Sequence, residues 1–157
     1  MIADIDAGES GALLAINNTF AAETSHLEPE DWQALLVRAR FAFAAPPDKA
    51  FLLAFDQKPA DLSPNFDWFA ARLADFVYID RVVVAAAAHG QGLGKALYER
   101  LFDEARVAGF RRITCEVNLD PPNPGSLAFH DRMGFVAMGE TMLANGKTVR
   151  YFARSVV

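Results

Sequence analysis

Residues 76–118 constrain the fold more than any other stretch. "FVYIDRVVV" (76–84) is apolar on both faces except at Asp80 and Arg81, as expected for a strand at the centre of a sheet. "HGQGLG" (89–94) follows, with glycine at every second position. Leu93, Leu97, Leu101 and Ala105 then recur every fourth residue above polar Lys95, Glu99, Asp103 and Arg106. This spacing predicts an amphipathic helix of about four turns, closed by Gly109 in the C′ role. "RRITCEVN" (111–118) reads as the next strand, with Ile113, Cys115 and Val117 on one face. Strand, glycine loop, helix and strand in this order favour a parallel pair with a right-handed crossover. The fold class is therefore α/β, mixed with α+β character.

The glycine loop has two readings on its own. It is a tight turn, or a cradle whose free amides approach an anion at the positive end of the helix. It is not a P-loop: Lys95 follows the last glycine, but no Ser or Thr comes next. The spacing is also not that of a dinucleotide fold, and Glu116 lies inside the second strand, not at its end.

The flanking sequence completes a single domain of 157 residues. Residues 12–24 carry Leu13, Ile16, Phe20 and Thr24 on one helical stripe, after a capping Ser10. Asn17 falls inside that stripe and Glu23 at its edge, so each needs a partner or a cavity. "EPEDWQALLVRAR" (28–40) has acids at its start and arginines at its end, as a helix dipole prefers. Pro46 and Pro47 terminate what precedes them. "AFLLAFD" (50–56) reads as a strand, and "FDWFAARL" (66–73) is ambiguous, with strand preferred. In "NPGSLAFHDRMGF" (123–135), Asn123 caps and Pro124 opens a short helix that ends at Gly134. Residues 135–143 and 147–155 form a closing hairpin around "NG" (145–146).

Composition narrows the function classes. The formal charge is −5 with no basic cluster, which argues against a nucleic-acid partner. No apolar run approaches the ~18 residues of a membrane span, and "MIADIDAGES" is not a signal peptide. The single Cys115 excludes an internal disulfide and suits a reducing compartment. Its simplest role is that of a small buried hydrophobe. The expected location is cytoplasmic.

Two of these stretches together resemble the GNAT superfamily of N-acetyltransferases. "YIDRVVV" running into "HGQGLGKALYERL" is similar to the family's Arg/Gln-x-x-Gly-x-Gly/Ala loop. "NPGSLAFHDRMGF" is similar to its Asn-x-x-Ser/Ala-x-x-Phe/Leu-Tyr-x-Lys/Arg-x-Gly-Phe motif. The match spans 75–157, leaving 1–74 as the variable, acceptor-shaping part. The resemblance implies a twisted mixed sheet whose central parallel strands splay apart, with helices on both faces. Acetyl-CoA would lie in the split, with no metal. Backbone groups of Val82, Val83 and Val84 would hold its pantetheine arm. His89, Gly90, Gln91, Gly92, Leu93, Gly94 and Lys95 would surround the pyrophosphate, the glycine-loop amides cradling it, and Asn123, Ser126 and His130 would line the thiol end.

The implied reaction is direct acetyl transfer to a primary amine of a small molecule, protein or peptide. His130 stands where the family often has a Tyr that protonates the departing thiolate. Asp80 falls where several members carry a carboxylate base, with Glu116 and Glu23 as further candidates. Asn17, Glu23 and Glu116 are the expected acceptor-side residues. His89 replaces the usual Arg or Gln, and "LDPPNP" is two residues longer than the pattern. These departures keep a non-catalytic CoA or acyl-CoA sensor, or an interaction module, as the rival reading. Dimers are common in the family, so a homodimer is compatible with it.

Overall fold

The computed structural model describes residues 1–46 and 48–157, apart from the side chain of Glu23. The chain opens with a two-residue strand β1 (Ala3–Asp4), then helices α1 (Gly11–Thr19), α2 (Ala21–Thr24) and α3 (Pro29–Arg38). Strands β2 (Phe41–Ala45) and β3 (Ala50–Phe55) form a hairpin, followed by α4 (Pro64–Ala70). The central unit is β4 (Val77–Val84), α5 (Leu93–Val107) and β5 (Arg112–Asp120). Helix α6 (Pro124–Arg132) and the hairpin β6 (Val136–Met142) and β7 (Thr148–Ser155) close the chain. The strands form one sheet in the order β1-β2-β3-β4-β5-β7-β6. Among the described residues its only parallel contact is β4 with β5, the pairing that the order of the central unit favours.

Three helical features differ from the sequence-based expectation. Residues 66–73 do not form a strand. Ser63 Oγ accepts the Phe66 N–H, Pro64 supplies the first turn, and α4 buries Phe66 and Phe69 against Phe76 and Tyr78. The N-terminal helix is broken at Phe20, where the Thr24 hydroxyl reaches back to the carbonyls of Asn17 and Phe20. Ser10 does not cap α1 with its side chain. Its hydroxyl instead accepts the indole N–H of the buried Trp32 at 2.8 Å.

The sheet is covered on both faces. One side holds α5, with Leu97, Leu101 and Ala105 packed against Phe43, Leu52, Ile79 and Ile113. The other holds Leu13 and Trp32 against Phe51, Leu53 and Val83. β4 changes phase between these two layers. Leu53 pairs with Arg81 while Ala54 pairs with Ile79, so Asp80 is an extra residue bulging from the ladder. Before the bulge Val77 and Ile79 face the α5 side; after it Val82 and Val84 do. The simple alternation that would put Tyr78, Asp80 and Val82 on one face therefore fails.

At the far edge, the Trp68 ring stacks on Tyr151 at 4.1 Å and carries Arg72 on a ring face at 3.8 Å. Gly139 meets the edge of that ring. A Cβ there would lie 2.9 Å from Trp68 Cζ2. The stacked partners leave the indole little freedom to retreat, so Gly139→Ala is expected to destabilise the fold by about 1–3 kcal/mol. Urea unfolding of the variant checks this.

Candidate active site

β4 and β5 hold each other over a short stretch. Their register covers Val77 with Ile113 and Tyr78 with Thr114, and then stops. Beyond Tyr78 the strands diverge, leaving the β5-facing backbone edge of β4 without a strand partner. Two cavities occupy the split. One, of about 830 Å³, runs between β4, the glycine loop, α5 and α6. The other, of about 890 Å³, opens towards α2, α3, α4 and the β6–β7 turn. They share Val82, Tyr98, Ser126 and His130 as lining residues.

The first cavity suits an elongated ligand ending in phosphates. Gly90 and Gly92 have φ of 82° and 73°, and no atom lies within 4 Å of where their Cβ would be. This is a left-handed backbone opening onto free space, which only glycine adopts without strain. Helix α5 begins at Leu93 with no side-chain cap. The amides of Leu93, Gly94 and Lys95 therefore have no intrahelical partner, and the positive end of the helix dipole lies behind them. His89, Gly90, Gly92, Leu93, Gly94 and Lys95 line this cavity; Gln91 lies outside it. His89 turns back, its Nε2 2.9 Å from the Val84 carbonyl. Lys95 pairs with Glu99 at 3.7 Å. Val82 and Val84 line the cavity, whereas the Val83 side chain is buried on the opposite face.

The second cavity holds the titratable groups. Glu116, on β5, accepts a hydrogen bond from the Tyr78 hydroxyl. Burial pushes the Glu116 pKa up to about 8; Asp80 adds to the rise, while Tyr78 and Arg81 oppose it. Asp80 is bound to its neighbour, with Arg81 Nε 2.7 Å from its Oδ2. Arg81 also donates to Asn17 Oδ1 at 3.1 Å. Asn17 is fully buried, gives its amide protons to Asn18 Oδ1 and the Ser25 carbonyl, and lines neither cavity. Asn17 thus holds Arg81, which does line the second cavity. The side chain of Glu23 lies outside the described residues. Thr24 and Ser25 line the cavity wall.

At the junction, His130 is buried among Phe129, Phe135 and Phe152. Its Nδ1 is 2.8 Å from the Ser126 carbonyl and its Nε2 is 2.8 Å from the Tyr98 hydroxyl. Burial lowers its pKa below the ordinary histidine value, against the Ser126 hydrogen bond. Burial raises the Tyr98 phenol well above its usual range. Asn123 lines the second cavity and caps α6, its Oδ1 3.3 Å from the Ser126 amide. Cys115 packs in the core beside the split, where burial raises its thiol pKa. Among the described residues no group of three His, Cys, Asp or Glu is placed to hold a metal ion. Among the described residues no helix is long and apolar enough to cross a membrane.

Tyr98 and Tyr78 were not singled out in the sequence. The available signal was chemical: a tyrosine on a core-facing surface must find a partner for its hydroxyl. Tyr98 follows Leu97 on the inner side of α5, and Tyr78 lies in the central strand.

A split sheet with a glycine cradle on one side and a second pocket on the other is a class of fold suited to two ligands that meet at the fork. The chain belongs to the Acetyltransferase (GNAT) family, whose model matches residues 15–135. The family is one of acetyltransferases. A 63-residue stretch is 41% identical to the 5-NmdU N-acetyltransferase of Pseudomonas phage PaMx11. That stretch is 40% of this chain and spans only 41% of the relative. Among solved structures, the yncA protein of Salmonella typhimurium with its cofactor acetyl-CoA superposes with a TM-score of 0.75 at 18% identity, covering 100% of this chain and 94% of that one. The ribosomal-protein-alanine N-acetyltransferase of Brucella melitensis gives 0.72 at 20% identity, with 99% of each chain covered. An aminoglycoside 6'-N-acetyltransferase complexed with coenzyme A gives 0.73 at 15% identity, with 100% of this chain and 97% of that one covered.

Proposed function

We propose that this protein is an acetyl-CoA-dependent N-acetyltransferase acting by direct transfer on a primary amine whose remaining body is uncharged or anionic. The observation that carries the proposal is the meeting of the two cavities at Val82, Tyr98, Ser126 and His130, with Glu116 lining the acceptor side. Acetyl-CoA supplies the activated thioester carbonyl. The chain supplies the rest. The free β4 edge and the loop amides from Gly90 to Lys95 hold and orient the donor. The second cavity holds the amine in line with it, so that two bound reactants meet without further loss of freedom. Glu116 takes the proton that an ammonium must lose before it can attack.

The acceptor class follows from the charges lining that cavity. The chain as a whole is acidic, which mildly favours cationic amines, but the cavity does not continue this trend. Asp80 is neutralised by Arg81, and Glu116 is mostly protonated below pH about 8. Among the described side chains this leaves one carboxylate, Asp31, and two cations, Arg38 and Lys147, in the lining. Arg38 is held at the Ala60 carbonyl and Lys147 at the Ala22 carbonyl. A polycation has little to bind there. Three amines of equal length test this: butylamine, 1,4-diaminobutane and 4-aminobutylphosphonate, assayed by thiol release, with 5-NmdU in the same panel because of the phage relative's name. The phosphonate is expected to exceed the diamine in kcat/KM by roughly tenfold, with the gap closing at high salt. A preference for the diamine defeats the acceptor class; absence of turnover with every amine defeats the enzyme reading.

A further inference from the structure

We propose that Tyr98 is the catalytic residue that gives its proton to the departing thiolate, and that His130 is a positioning residue holding the Tyr98 hydroxyl at the junction of the two cavities. The inference rests on the transferase reading and refines it.

The reasoning begins with a carbonyl that can only accept. His130 Nδ1 is 2.8 Å from the Ser126 carbonyl oxygen, so Nδ1 carries the proton. In a neutral imidazole the other nitrogen is then a bare acceptor. Neutrality follows from the surroundings: the ring is 4% exposed and packed among Phe129, Phe135 and Phe152. Nε2 lies 2.8 Å from the Tyr98 hydroxyl, so Tyr98 donates and His130 accepts. In this tautomer the histidine has no proton to offer at its Tyr98-facing nitrogen. The mobile proton at the junction is on Tyr98.

Tyr98 reaches this place from α5, while His130 belongs to α6. Both line both cavities, so one phenol oxygen can serve the donor side and the acceptor side. The step balances without another reactant. The new N–C bond forms, the C–S bond breaks, and its electron pair goes to sulfur. The Tyr98 proton passes to that sulfur, and the attacking nitrogen returns one of its own protons to the phenol oxygen. His130 keeps its tautomer throughout and is regenerated with its hydrogen bond.

Two measurements test the assignment. The first is steady-state kinetics on Tyr98→Phe, His130→Gln and His130→Phe, with acetyl-CoA affinity from calorimetry. Phe at 98 keeps the ring that packs on Phe102, Phe129 and Phe135. General-acid catalysis is worth about 10²–10⁴-fold, so Tyr98→Phe is expected to lower kcat by at least ~10²-fold at nearly unchanged acetyl-CoA affinity. Gln at 130 offers an amide oxygen to the hydroxyl and should retain far more activity than Phe. Near-normal kcat in Tyr98→Phe overturns the proposal, as does His130→Gln being as inactive as His130→Phe. The second is NMR of the unmodified protein with isotope-labelled histidine, which does not require turnover. The His130 resonances should show a protonated Nδ1 and a bare Nε2 at neutral pH. A proton on Nε2 overturns the proposal whatever the kinetics. A wild-type protein that shows this tautomer yet releases no thiol with any amine overturns the transferase reading, and the catalytic role of Tyr98 with it.

Discussion

Glu116→Gln is expected to lower kcat by roughly 10²–10³-fold and to leave acetyl-CoA affinity unchanged. The carboxylate lines the acceptor cavity next to Tyr78 and is absent from the lining of the cofactor cavity. Gln keeps an oxygen for the Tyr78 hydroxyl, so the variant removes a proton acceptor with little change in shape. The pH dependence carries the sharper test. A base with a pKa of about 8 must be ionised to act. The wild-type rate therefore climbs as pH rises through about 8, and the residual rate of Glu116→Gln lacks that limb. Stability moves the other way. The folded pKa lies above the ordinary glutamate value of 4.5. Between those values the unfolded chain releases its proton while the folded one retains it, so Glu116 costs stability progressively as pH rises from about 4.5 to about 8. Gln abolishes that cost, and the variant should gain Tm over wild type towards pH 8 and not near pH 4. Thermal melts and pH–rate profiles on the same two proteins check both signs. A flat difference in Tm would show that Glu116 is not the perturbed group.

Asp80 shows why the base could not be chosen from sequence. Strict alternation would put it on one face with Tyr78 and Val82 unless a bulge intervenes. One extra residue in the β3–β4 register reverses that phase, and no feature of "YIDRVV" announces the bulge. Arg81 adjoins Asp80 in the sequence, but its guanidinium is also held by Asn17, 64 residues away, a tertiary contact. Glu116 was visible as a polar residue inside an apolar strand. Its raised pKa comes from burial and from Asp80 across the split, both tertiary. The short strands β1 and β2 were missed for a different reason. β1 is only two residues long, and β2 is five residues of Phe and Ala that are apolar throughout, so neither shows an apolar–polar alternation. Phe66 and Phe69 buried from α4 likewise look strand-like in "FDWFAARL", until the Ser63–Pro64 start is weighed as a helix signal. What the sequence did carry was local and periodic. The four-residue repeat of α5, the Asn123–Pro124 start of α6 and the "NG" hairpin were each set by chemistry within one element. Position in the sheet then followed from connectivity.

Gly92→Val is expected to weaken acetyl-CoA binding by at least ~10-fold, since a β-branched residue is poorly accommodated in the left-handed region and fills the cradle. Gly92 occupies the cap position of α5 at φ 73°, ψ 18°. Its Cβ would meet no protein atom within 4 Å, so a side chain there enters the space that faces the free amides of Leu93, Gly94 and Lys95. Two effects then act together. Valine pulls the backbone towards negative φ and turns those amides away from a common point, and its methyl groups exclude the phosphate from what remains. Gly94 provides the comparison. It has ordinary helical backbone, and its Cβ would rest 3.7 Å from the Phe129 ring. Gly94→Ala should therefore keep most of the affinity, although it lies only two residues away. Calorimetric titration of both variants with acetyl-CoA and with a pantetheine thioester lacking the pyrophosphate separates the two contributions. If Gly92→Val loses affinity for the full cofactor and not for the truncated one, the loop is acting on phosphate. If it loses both equally, the damage is to the fold of β4–α5, and if it loses neither, the cradle assignment is wrong.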